Sequence, residues 1–293
     1  MDVTIEEFLV NDGKGGPYGV AAGADGAIWF TLAGAGKIGR FEPGAALDIF
    51  DLPNPEGQPT AIIPAPDGTM WFTQTRDNSI GRITPAGEVA IFGLPTTGAS
   101  PVGLAVGPDG AIWFTEMTAD RIGRLSLDGQ VIEFPLAVSG GYPAGVVAGP
   151  DAQLWFTLNQ ADQISSISTA GNFEAQVQLS PGSAPVGLTA SGDEVWFVEI
   201  GSGRIGRRSD SGTVTEYRLW DDSAKPHAIV ADPEGGCWFT AWAANRVGYV
   251  STRGEITSYA IPTPEAEPHG ITIAADGAVW VALEVGKLLR LNR

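Results

Sequence analysis

The chain has 293 residues, 43% of them hydrophobic and 17% charged, with 40 Gly, 21 Pro and a net charge of −17. That charge excludes a surface built to neutralise nucleic-acid phosphates or to dock on anionic lipid, and the glycine and proline content favours short strands and tight turns over helices. No apolar run is long enough to cross a membrane, and the acidic start MDVTIEEFLVNDG carries no apolar core ahead of a cleavage site, so a cytoplasmic protein is expected.

In chain order, residues 4–9 (TIEEFL) form a lone alternating strand, followed by a unit that recurs to the end. Trp29, Trp71, Trp113, Trp155, Trp196, Trp238 and Trp280 mark that unit at spacings of 42, 42, 42, 41, 42 and 42 residues. Each tryptophan follows a turn such as Pro108-Asp109-Gly110 and leads into Phe-Thr, a loop, Ile-Gly-Arg, a second turn and an alternating segment such as 88–94. The pattern predicts four short strands per unit. A period of about 40–45 residues with four strands is the signature of a propeller blade, because one such sheet cannot bury both faces alone.

The last unit stops at its third strand, Lys287–Leu291, and residues 4–9 match the missing outer strand. The expectation is an all-β, seven-bladed β-propeller in one domain, 1–293, closed by the N-terminal strand. Closure of this kind hides a sheet edge.

Two segments imitate other chemistry. Residues 34–39 and 201–206 both read G-x-G-x-x-G, but they fall in strand-to-strand loops, whereas a dinucleotide site needs them between a strand and a helix. Cys237, the one cysteine, lies in the apolar run Gly236-Cys237-Trp238-Phe239 and is expected to be a small buried hydrophobe.

Function is sought where the blades differ. The residue after the proline that opens each inner strand is Tyr18, Thr60, Val102, Ala144, Val186, His227 and His269. Both histidines of the chain share this slot, which random placement gives about once in 2,000 trials. A single histidine in a β-protein is usually structural or exposed; two in one repeat slot point to a site.

A two-residue turn at Asp276-Gly277 would set His269 opposite Glu284, and the same register around Glu234-Gly235 would set His227 opposite Trp242. Glu267, two residues before His269, would share its strand face, although by itself it reads as an ordinary loop carboxylate. Glu284 stands where other blades have Ala33, Thr75, Met117, Asn159, Ile200 and Trp242. Glu116 and Glu199, one place earlier, are expected to line the rim or to be solvated.

Two carboxylates and two imidazoles at a channel mouth suggest metal-assisted acid–base chemistry. Zinc enzymes usually use three close protein ligands, whereas Mg²⁺ takes one or two carboxylates and keeps waters. Glu267 and Glu284 fit the second description and leave His269 free to move protons. No activated nucleophile motif is present, so water attack and proton abstraction beside a polarised carbonyl both stand open.

With its seven Trp-marked repeats, its Trp-Phe-Thr and Ile-Gly-Arg segments and the shared last blade, the whole chain resembles the virginiamycin B lyase family. The resemblance implies a Mg²⁺-dependent carbon–oxygen lyase that linearises streptogramin B antibiotics, cyclic depsipeptide lactones, by elimination at the threonyl ester. It implies His269 as the catalytic acid–base residue, Glu267 and Glu284 as Mg²⁺ ligands, and His227 as a substrate-binding residue with Tyr18 and Trp242 nearby. It further implies a monomer acting on a small molecule, with no nucleic-acid or membrane partner, and a role in antibiotic resistance. Two alternatives come from other classes: a metal-dependent lactone hydrolase similar to the gluconolactonase-like propellers, and a propeller that only binds.

Overall fold

The computed structural model describes residues 3–11 and 15–292, so 1, 2, 12–14 and 293 of the expected domain lie outside the described residues. Among the described residues, strands assemble into seven four-stranded antiparallel sheets. Six are simple meanders: blade 6, for example, runs Pro226–Ala231, Cys237–Ala241, Arg246–Val250 and Ile256–Ala260. Blade 7 takes Pro268–Ile273, Val279–Leu283 and Lys287–Asn292 from the end of the chain and Thr4–Leu9 from its start. That pairing runs from Thr4 opposite Asn292 to Leu9 opposite Lys287.

Every inner strand opens with a proline, which lacks the N–H a ladder interior would need and so fits a strand start. Each inner strand packs beside the next, and Pro268–Ile273 packs beside Pro17–Ala22, which closes the seven blades into a ring. No helix among the described residues is long and apolar enough to cross a membrane.

The repeated aromatic residues hold the blades together. Trp29 of blade 1 is buried with Met70 and Phe72 of blade 2, and Trp71 in turn with Ile112 and Phe114 of blade 3. The glycine of Ile-Gly-Arg is a consequence of the same packing. A Cβ on Gly39 would lie 2.1 Å from the Phe30 ring, and one on Gly206 equally close to Phe197. These glycines end the two G-x-G-x-x-G segments, so their role is to make room for a ring. Blade 7 changes both partners together, with Val281 for the phenylalanine and Leu289 for the glycine. Arg40 sits over the Trp29 ring and bonds Asp25 at 2.8 Å, which also accepts from the indole N–H.

The hairpin register departs from expectation. The turn between the first two strands of blade 7 holds three residues, Ala275-Asp276-Gly277, closed by the Ala274 N–H to Ala278 O bond of 2.9 Å. Gly277 has φ of +81°, a left-handed position suited to glycine in a three-residue loop. Thr272 therefore pairs with Trp280, and the register shifts again between Ile271 and Pro268, which pairs with Leu283. Glu284 then lies opposite Glu267, its amide bonding Glu267 O at 3.3 Å, so His269 is not its ladder partner. In blade 6 the Trp242 amide likewise bonds Lys225 O at 3.0 Å, so Trp242 is not opposite His227. Both expectations assumed a two-residue turn and an unbroken ladder, and the three-residue turns together with the irregularity at each inner-strand start overturn them.

Candidate active site

The slot behind each opening proline lies at one end of the central channel. Beneath it is a cavity of about 210 Å³ whose wall includes Tyr18, Thr60, Val102, Ala144, Val186 and His227. The residue before the proline is held in the left-handed region in six blades: Gln58, Ser100, Tyr142, Ala184, Lys225 and Glu267 have φ between 45° and 54°. For a residue with a side chain this costs about 1–3 kcal/mol, which the surrounding packing must supply. The turn aims Glu267 at the mouth, directly ahead of Pro268 and His269.

Blade 1 has Gly16 at that position. A Cβ there would meet the Glu284 carbonyl oxygen at 1.7 Å, so the loop carrying Glu284 is packed against a backbone that tolerates no side chain.

Three aromatic rings from consecutive blades meet at the rim. Tyr18 stacks on His269 with ring centroids 4.3 Å apart, and His227 stands edge-on to His269 at 4.9 Å. The Tyr18 hydroxyl lies 3.3 Å from His227 Nε2. On the other side, His269 Nε2 is 2.9 Å from Glu284 Oε2. One ligand atom from each of Glu267, His269 and Glu284 falls within 4.8 Å of the others, a spacing that suits a shared metal ion.

The electrostatics follow from burial and from these contacts. Glu284 sits below the usual carboxylate range, chiefly through its bond with His269, while a hydrogen bond with Glu284 raises Glu267. Of the two carboxyls, Glu284 is therefore the stronger acid and Glu267 the one that takes up a proton first. His227 opens only onto the narrow channel; that enclosure, then the nearby His269, pushes it down to about 3, so it stays neutral. Burial, then the Glu284 charge, raises the Tyr18 phenol, which stays protonated. His269 itself is buried at 8% exposure, and its Nδ1 has no hydrogen-bond partner among the described residues.

Five of the six residues singled out from the sequence are brought together: Tyr18, His227, Glu267, His269 and Glu284. Trp242 follows the end of its strand at 37% exposure and takes no part in the ring contacts joining Tyr18, His227 and His269. Glu116 and Glu199 do not line the rim and are not solvated. Both are wholly buried at the ends of second strands, and burial raises both carboxyls, Glu116 to about 8 with Glu133 adding to the shift. Cys237 is buried, and burial pushes its thiol up.

Two contributors had no chemical signal in the sequence. Gly16 was recognisable only as the one glycine among the residues preceding the prolines. Thr240, a member of the repeated Phe-Thr pair, donates to the His269 carbonyl at 2.8 Å.

The sequence profile described as the virginiamycin B lyase family matches residues 3–291. A curated virginiamycin B lyase of Saccharopolyspora erythraea is 57% identical over 42 residues, a repeat-length stretch that is 14% of each chain. A solved streptogramin B lyase structure superposes with a TM-score of 0.94 at 38% identity, covering 99% of this chain and 97% of that one. A virginiamycin B lyase from Staphylococcus aureus, made catalytically inactive by a histidine-to-alanine substitution and solved with quinupristin, superposes with a TM-score of 0.95 at 36% identity over the full length of both chains.

Proposed function

This chain belongs to the virginiamycin B lyase family, and on that footing we propose that it opens the ring of streptogramin B antibiotics by elimination at their ester bond, with Mg²⁺ as cofactor. The observation that carries the proposal is the convergence of Glu267, His269 and Glu284 at the channel mouth, their ligand atoms within 4.8 Å.

The donor set fits a hard cation. Each of two carboxyls this close makes ionisation of the other harder, and the rise of Glu267 beside Glu284 is the sign of it, which a positive partner between them would relieve. Glu267 and Glu284 would hold Mg²⁺ in that place. When bound, the cation would polarise a substrate carbonyl and stabilise negative charge developing next to it.

The chain's own residues supply the rest. His269 exchanges its proton at Nε2, because Nδ1 is fully buried. Its lone pair there, freed when the Glu284 carboxylate turns from it, takes the proton from the α-carbon of the threonine whose side-chain oxygen forms the ester. The electron pair left behind forms a double bond to the β-carbon as the carbon–oxygen bond breaks, and the carboxylate departs without consuming water. The imidazolium formed is met by the Glu284 carboxylate at 2.9 Å. The Tyr18 stack and the edge of His227 confine the ring, and neutral His227 and protonated Tyr18 are left to hydrogen-bond substrate. The inactivity of the histidine-to-alanine relative supports giving a histidine this task.

Mass spectrometry tests the reading. Incubation with quinupristin and Mg²⁺ is expected to give a ring-opened product of unchanged mass, lost on chelation and restored when Mg²⁺ is returned. A product heavier by one water identifies a hydrolase instead, no product refutes the activity, and full turnover in chelator removes the metal from the mechanism.

A further inference from the structure

We infer that Thr240 is a positioning residue for His269, an inference that rests on the acid–base role proposed above. The hydroxyl of the Phe-Thr pair spans two blades. In each case it accepts a backbone N–H from its own inner strand and donates to the carbonyl of the slot residue in the next blade. Thr31 reaches Thr60 O at 2.9 Å, Thr115 reaches Ala144 O at 2.6 Å and Thr157 reaches Val186 O at 2.8 Å. Thr73 makes a longer version to Val102 O at 3.5 Å. Thr240 accepts from the Ala228 amide at 3.0 Å and donates to His269 O at 2.8 Å.

The threonine is missing from two blades, and their places in the ring are informative. Val198 in blade 5 stands where a hydroxyl would reach His227 O, and Ala282 in blade 7 where one would reach Tyr18 O. Of the three aromatic slot residues, His269 alone receives this clamp.

His269 has particular need of it. A working histidine is commonly oriented by a hydrogen bond at the ring nitrogen away from the reaction. Here Nδ1 has no partner among the described residues, and ring stacking with Tyr18 restrains tilt more than position. Placement of Nε2 against Glu284 therefore depends on the backbone that carries the ring, and Thr240 fixes that backbone to the neighbouring strand. Because Ala228 adjoins His227, one hydroxyl also sets the spacing between the two histidine-bearing strands. Displacement by about 1 Å is enough to cost up to 10²-fold in rate.

The test compares Thr240→Val with Thr115→Val, which removes the same clamp on the far side of the ring. With quinupristin and saturating Mg²⁺, Thr240→Val is expected to lower kcat about tenfold or more with KM within about twofold, because binding groups stay in place while the base is misplaced. Thr115→Val is expected to leave kcat within about twofold at a similar loss of Tm, and Thr240→Ser to recover most of the lost kcat. Equal losses in both valine variants, full kcat in Thr240→Val, or no recovery in the serine variant would overturn the inference. Where Thr240→Val does not fold, Thr240→Ala must show the same split between kcat and KM. His269→Ala run in parallel separates the two proposals: an active His269→Ala removes the acid–base role itself, whereas an inactive one beside a fully active Thr240→Val removes only the positioning role.

Discussion

Blade 3 and blade 7 each carry a glutamate where the second strand meets its loop, and the two live under opposite electrostatics. Glu116 is the last residue of its strand, wholly buried, with neither carboxyl oxygen hydrogen-bonded among the described residues, and its acid is pushed up to about 8 by burial and then Glu133. Glu284 is one residue beyond its strand, with its side chain 43% exposed, and is held below the ordinary range by His269. One step along a strand turns a side chain to the other face. The same residue type is thus a neutral wall element in one blade and a charged partner in the other. Charge in this ring is set by where the backbone points a carboxyl, and by whether a partner waits there.

The largest expected effect tests whether the active side of the ring is distinct at all. His269→Ala should lower kcat by about 10²–10⁴-fold, the range for removing a general acid–base group, with Tm nearly unchanged. Val102→Ala, in the same slot of blade 3, should leave kcat within about threefold. Comparable losses in the two variants, read by steady-state kinetics and thermal melts, would erase the contrast between the two sides.

Gly16→Ala comes next. Its methyl group would strike the Glu284 carbonyl, so Glu284 should be displaced and Mg²⁺-dependent turnover should fall about 10–100-fold. Unchanged kcat and unchanged Mg²⁺ dependence would show that the loop absorbs the clash.

The smallest effect concerns Glu116. Its folded value of about 8 lies above the unfolded 4.5, so the buried acid favours the fold while protonated, and that advantage fades as pH rises through this window. Glu116→Gln mimics the neutral acid, so Tm should match the parent near pH 5 and exceed it near pH 9, by roughly 1–3 kcal/mol in stability. A variant less stable at every pH would mean that the parent carboxyl is ionised and paired.

Much of this site was legible in the residues alone. A 42-residue period set a ruler that no packing detail could blur, because a blade must be completed before its faces can be covered. That ruler placed Tyr18, His227 and His269 in one slot, and the unmatched segment 4–9 told which blade the N-terminus would complete. Substitution of Glu284 for six unlike residues marked it as outside the scaffold.

Contacts through space were another matter. The expected ladder placed Glu284 across from His269; in the structure it faces Glu267, and its bond to His269 is made by a side chain reaching over an irregular strand start. A three-residue turn and a bulge differ from a plain hairpin by single residues, and turn residues such as Asp-Gly serve both. Burial of Glu116, the fit of Gly16 under Glu284 and the clamp from Thr240 to His269 depend on how neighbouring blades approach. Period and slot belong to the covalent chain and can be counted along it, whereas register, burial and charge arise only when seven sheets twist and close on one another.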